Sequence, residues 1–157
     1  MSVQSILVPV DYSSCSRAAL SFALDLAQRY QASLDVVHVW DRPAYMTDAV
    51  MMSTEPVHGK SLFRLIADNA QRDLDEFLHG VAVPAGTTLS GRLLDGEPAA
   101  ALIQELKRGK HDLVVLGTHG RTGFSHLMLG SVSEKLARLS PVPVVTVPDE
   151  TLRRQLS

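Results

Sequence analysis

The residues whose types and spacing could do chemistry are Gly117, Gly120, Gly130 and Ser131, together with Asp11 far upstream. Glycine grants positive φ or close backbone approach and carries an entropic cost elsewhere. Four glycines between Leu116 and Lys135 therefore imply that something comes close to the main chain there. Gly130, Ser131 and Val132 read as the start of a helix. There, N–H groups without intrahelical partners and the axial dipole attract anions, phosphate above all. Glycine at 130 would let a phosphate reach those amides, and Ser131 adds a hydroxyl donor. Asp11 follows an apolar run and can either meet a ligand or cap the next helix. The bland readings are a sharp exit from a strand at Gly117 and Gly120 and a plain helix start at Gly130.

These residues need elements to position them. Ile6–Val10 is a continuous apolar run of the kind found in strands covered on both faces. Serines at 13, 14 and 16 then precede Ala19, Leu20, Ala23, Leu24, Leu26 and Ala27 at helical spacing. "SLDVVHVW" predicts a second strand ending near Trp40, and the run from Lys60 to Gly80 a second helix capped by its final glycine. "TTLSGRLLDG" is a weaker third strand interrupted by Gly91. "EPAAALIQELKRG" is a helix with Glu97 and Pro98 in its first turn and Gly109 past its end. "HDLVVLG" is the fourth strand, "SVSEKLARLS" the fourth helix and "PVPVVTVP" the fifth strand. The segment 41–59 has no period and holds Met46, Met51 and Met52, so it is expected to be a mobile connection. Residues 149–157 are expected to be a solvated tail.

Strict alternation of strand and helix predicts an α/β domain spanning 1–148, with an open, mostly parallel five-stranded sheet and helices on both faces. The expected strand order is 3-2-1-4-5, which puts strands one and four side by side where the winding reverses. Ligands bind at the carboxyl ends of strands at such a point. Pro143 restricts the fifth strand to an edge. A valine-rich edge is a hazard to a free monomer, so pairing of two copies through 142–147 is predicted. An edge blunted by its own prolines is the alternative.

Composition narrows the function. The 157 residues carry a net charge of −2, with 20% charged residues, which argues against nucleic acid or an anionic membrane as partner. No apolar run reaches the length of a membrane span, and no leader pattern opens the chain, so a cytoplasmic location is expected. A lone Cys15 excludes a disulfide framework and any multi-cysteine zinc site. His38, His58, His79, His111 and His126 show no metal-ligand spacing, so no protein-held metal is assigned. His119 reads as exposed rather than catalytic, and Arg121 as either a solvated cation or a phosphate clamp.

Gly117, two residues, Gly120, nine residues, then Gly130 and Ser131 resembles the G2xG9xG(S/T) signature of the universal stress protein family. "ILVPVDYS", "VVHVW", "HDLVVLGTHGRTG" and "LGSVSEKLARLSPVPVVTVP" extend that resemblance over nearly the whole chain. It implies a Rossmann-like fold of the adenine nucleotide alpha hydrolase type and ATP as the ligand, with Mg²⁺ carried mainly by the phosphates. It further implies that Asp11, behind Pro9 and Val10, contacts the nucleoside, and that Val39 faces adenine. Gly117, Thr118, His119 and Gly120, with Arg121 nearby, would hold the ribose and α-phosphate, and Gly130, Ser131 and Val132 the phosphates. The family's dimers pair the last strand, in agreement with the edge argument.

The loop offers no lysine of the P-loop kind, so slow hydrolysis at most is expected and no catalytic residue is assigned. A phosphoacceptor receiver would use Asp95 but lacks the lysine after strand five. An adenylating enzyme would need HxGH or SGGxDS, and neither occurs. The remaining competitor is a dimeric interaction protein of the same fold that binds no nucleotide, and a further protein partner is compatible with either reading.

Overall fold

In the computed structural model, the described residues are 2–40, 62–120 and 129–148. The segment 41–59, Arg121, His58 and His126, and the tail 149–157, for which the sequence raised expectations, lie outside them. The elements run β1 (Ser5–Pro9), α1 (Ser14–Tyr30), β2 (Ser33–Trp40), α2 (Leu62–Leu78), β3 (Leu89–Asp95), α3 (Pro98–Lys107), β4 (Leu113–Gly117), α4 (Ser131–Leu139) and β5 (Val144–Val147). Every strand pairing is parallel, and the order is β3-β2-β1-β4-β5. This is the predicted topology.

Successive strand residues face opposite sides, and both sides are covered. One face sends Ile6, Val8, Leu34, Val36 and Val115 against Ala19, Ala23 and Ala27 of α1 and Leu74 and Phe77 of α2. The other sends Leu7, Val37, Val114 and Leu116 against Leu102 and Leu106 of α3 and Leu136 of α4. Burial on both sides is why β1 and β4 read as unbroken apolar runs. Each leucine so buried contributes roughly 1.5–3 kcal/mol.

The helix ends follow the local chemistry. Ser13 caps α1, its Oγ accepting from Ser16 N–H at 3.2 Å. Glu97 is itself the cap of α3, its carboxylate accepting from Ala100 N–H at 2.8 Å, and Pro98 takes the first helical position. Gly80 and Gly109 lie just past helix ends with φ of 76° and 71°, a conformation that suits glycine. Gly91, which made β3 hard to read, has a spatial cause: a Cβ there would stand 2.6 Å from Leu78 Cδ1 of α2. Strand β5 sits at the sheet edge, as Pro143 required, and the Pro143 carbonyl still accepts from Val114 N–H at 3.0 Å. The fourth and fifth strands begin at Leu113 and Val144, later than the apolar pattern suggested.

Candidate functional site

Strands β1 and β4 are neighbours at the reversal of winding, and a cavity of about 260 Å³ opens at their carboxyl ends. Pro9, Val10 and Asp11 form one wall, the β4 exit at Gly117, His119 and Gly120 another, and Gly130, Ser131 and Val132 of α4 a third. Val39 lines the cavity from β2. Eleven of the twelve residues singled out from sequence fall among the described residues. Ten of those line the cavity; Thr118 sits in the same loop with its hydroxyl 3.0 Å from His119 Nδ1.

The three spaced glycines stay clear of the left-handed region, so conformation does not explain them. Space does. A Cβ on Gly117 would stand 2.7 Å from Cys15 Cβ and 2.9 Å from the Cys15 carbonyl carbon. On Gly120 it would stand 2.6 Å from Asp11 Oδ2, and on Gly130 3.3 Å from Thr118 O and 3.5 Å from His119 Cα. The three distances at Gly117 and Gly120 are ones real Cβ atoms do not adopt. The close approach read from the sequence is thus made first by the protein's own chain. Gly117 seats the start of α1, Gly120 makes room for a carboxylate, and Gly130 lets the 118–120 backbone lie against α4.

Gly130 N–H is used within the protein, donating to Thr118 O at 2.8 Å. The first intrahelical bond of α4 runs from Glu134 N–H to Gly130 O, and glycine supplies no side-chain cap. The N–H groups of Ser131, Val132 and Ser133 therefore lack partners within the helix, and all three residues line the cavity. Helix-terminal amides of this kind are donors for an anion. Ser133 additionally donates its hydroxyl to Gly117 O at 2.8 Å, tying the start of α4 to the end of β4.

Asp11 is a braced acid. Its Oδ1 accepts from Ser13 N–H at 3.1 Å and Ser13 Oγ–H at 2.5 Å, while Oδ2 faces Gly120. Tyr12 turns the chain here with φ of 68° and stacks on His38, ring centroids 4.4 Å apart. His38, weighed from the sequence only as a metal ligand, also lines the cavity; its Nδ1 is bonded to Val10 O at 2.8 Å. Alternation could have exposed it, since a histidine between Val37 and Val39 at the carboxyl end of β2 is close to the switch point. His119, expected to be exposed, is only half-buried and lines the cavity, and its Nε2 is buried with no hydrogen-bond partner among the described residues. Leu102 and Leu116 complete an apolar floor.

Fold and site together define a doubly wound α/β domain with an open cavity at its topological switch point. The universal stress protein family model matches residues 2–148, so the chain belongs to that family. It is 33% identical over 145 residues to a universal stress protein of Thermus aquaticus, covering 92% of this chain and 98% of that one. Among solved structures, universal stress protein UspA from Lactobacillus plantarum matches with a TM-score of 0.74 at 28% identity, covering 94% of this chain and 99% of that one. The fold is also shared with a universal stress protein solved in complex with cAMP (TM-score 0.58, 23% identity, covering 94% and 98% of the two chains). One from Arabidopsis thaliana with AMP bound has a TM-score of 0.52 at 18% identity, covering 94% and 92%. Among the described residues no helix is long and apolar enough to cross a membrane.

Proposed function

We propose that this chain is an ATP-binding universal stress protein that holds ATP in the β1/β4 cleft and serves as a nucleotide-dependent stress-response or regulatory module. The observation that carries this reading is the α4 N-terminus, which has no side-chain cap and opens onto a cavity with an apolar floor. Ser131 and Val132 would take the phosphates through their amides, with the Ser131 hydroxyl as a further donor. Asp11 supplies the acceptor for nucleoside hydroxyls, and Val39, Leu102 and Leu116 the apolar surface for adenine. Arg121 is assigned to the phosphate side on the resemblance alone. Relatives of the same fold solved with cAMP and with AMP favour an adenine nucleotide as the ligand class.

Three or four charge-assisted hydrogen bonds of roughly 1.5–3 kcal/mol each, with a buried base, suffice for the ~8 kcal/mol of a micromolar site. Turnover needs more. Among the described cavity residues Asp11 is the one carboxylate and there is no lysine, which supports occupancy with slow hydrolysis at most. Mg²⁺ would arrive on the phosphates. The reading includes a cytoplasmic homodimer through the 142–147 edge, supported by the position of β5 at the rim of the sheet.

Mass spectrometry of freshly purified, denatured protein tests the central point. An adenine nucleotide near one equivalent, or a melting temperature raised by added Mg-ATP, is the expected result. Neither signal would leave the dimeric, nucleotide-free interaction protein as the reading. Light scattering of a charged variant at Val144 tests the dimer separately.

A further inference from the structure

At the amino ends of the strands, opposite the cleft, four elements converge on one ion cluster. Asp35 comes from β2, Arg92 from β3, Glu105 from α3, and His111 precedes β4 by two residues. Arg92 Nη2 donates to Asp35 Oδ2 at 2.6 Å and to Glu105 Oε1 at 2.8 Å. Arg108 Nη1 takes the other Glu105 oxygen at 2.8 Å. His111 is 6% exposed, and its Nδ1 shares a 3.0 Å hydrogen bond with Ser5 Oγ. Its Nε2 is buried without a hydrogen-bond partner among the described residues and faces the same two oxygens that Arg92 holds, 3.5 Å from Asp35 Oδ2 and 3.8 Å from Glu105 Oε1.

We propose that Asp35 Oδ2, Glu105 Oε1 and His111 Nε2 form a Zn²⁺ site in which Arg92 is a resident, exchangeable cation. One imidazole nitrogen and two carboxylate oxygens are a donor set that Zn²⁺ accepts, with a water as fourth ligand. Zinc bonds of about 2.0–2.2 Å put tetrahedral ligands roughly 3.3–3.6 Å apart. The three donors already lie within 4.8 Å of one another; the 3.5 Å edge already fits and the 3.8 Å edge needs only slight contraction. Ser5 provides the outer support: in the metal-bound form Nδ1–H would donate to its hydroxyl, leaving the Nε2 lone pair for the ion on the side of the carboxylates.

The occupant must be a cation, because a buried Glu105 carboxylate beside the part-buried one of Asp35 is strongly unfavourable without one. Arg92 meets that need from the rim. Its side chain is 37% exposed, against 15% for Asp35 and 4% for Glu105 and His111. The guanidinium can therefore swing into water while the three ligands stay in place, and Arg108 remains on Oε2. A metal at this site also gives the orphaned Nε2 its partner.

The experiment is titration of chelator-treated full-length protein with Co²⁺, followed by its visible d–d absorption, and with Zn²⁺ in competition with a chromogenic chelator. One equivalent of low-coordinate Co²⁺, displaced by Zn²⁺, is expected. His111→Gln should remove that equivalent, Ser5→Ala should weaken it about 10–100-fold, and Arg92→Met should tighten it at least about tenfold by removing the competitor. Circular dichroism establishes that each variant is folded, and Ser5→Ala carries the test should His111→Gln not fold. No bound equivalent in the unaltered protein, binding that survives His111→Gln or is indifferent to Ser5→Ala, or an affinity indifferent to Arg92→Met would each overturn the proposal.

Discussion

Asp11 Oδ2 lies 2.6 Å from the point where a Cβ would stand on Gly120, so the acid after β1 and a glycine after β4 share one small space. Gly120→Ala must push that carboxylate aside and strain its two bonds from Ser13. Expected is a loss of about 1–3 kcal/mol of stability together with weaker nucleotide binding. Adding Asp11→Ala should return part of the stability but none of the binding. A double-mutant cycle read by urea unfolding and calorimetric titration checks both halves.

Gly117 behaves differently because its neighbour is backbone. A Cβ there meets Cys15 Cβ at 2.7 Å and the Cys15 carbonyl carbon at 2.9 Å, atoms that no side-chain rotation moves. Gly117→Ala should therefore cost about 1–3 kcal/mol, and Cys15→Ala, which keeps both contacts, should not restore it. Urea midpoints of the single and double variants decide this.

The Ser133 hydroxyl is buried and bonded to Gly117 O. Removing it in Ser133→Ala leaves a part-buried carbonyl short of a donor, for an expected loss of about 1 kcal/mol. The measurement is the unfolding midpoint with and without nucleotide. If the bond holds α4 at the cleft, the nucleotide-induced rise in midpoint shrinks as well.

Acid should release the lower cluster. Burial alone would raise the Glu105 carboxyl, but the hydrogen bond and charge of Arg92, then the charges of Arg108 and His111, outweigh it and hold Glu105 below the usual carboxylate range. A depressed folded pKa adds stability above the unfolded value near about 4.3 and loses it as pH falls through the folded one. In the presence of chelator, stability should fall from about pH 5 downward. Glu105→Gln should be less stable near neutrality by about 1–3 kcal/mol and show a flatter acid limb. Denaturation across pH 3–7 tests the sign.

Sequence logic reached the sheet because strands buried on both sides, such as Ile6, Leu7 and Val8, have no polar face to confuse the pattern. It reached the edge position of β5 because Pro143 lacks a donor. It also placed the cleft, since the glycine spacing and Asp11 sit at strand ends whose neighbourhood follows from the winding order. Three things were hidden for physical reasons. The glycines' immediate neighbours, Cys15, Asp11 and Thr118, depend on how closely helix and loop approach, which no local pattern records. The Asp35–Arg92–Glu105–His111 cluster draws single residues from β2, β3, α3 and the approach to β4, so no short spacing announces it. Tyr12, with its positive φ, was equally silent, because nothing marks a tyrosine for that conformation.

Helix α3 begins with Pro98 on the wall of the cleft and carries Glu105 in the cluster at the far end of the sheet. Glu105 is seven helical steps beyond Pro98, about 10 Å along the axis. The two ends of the domain are thus joined by a single stiff rod, with no loop between them.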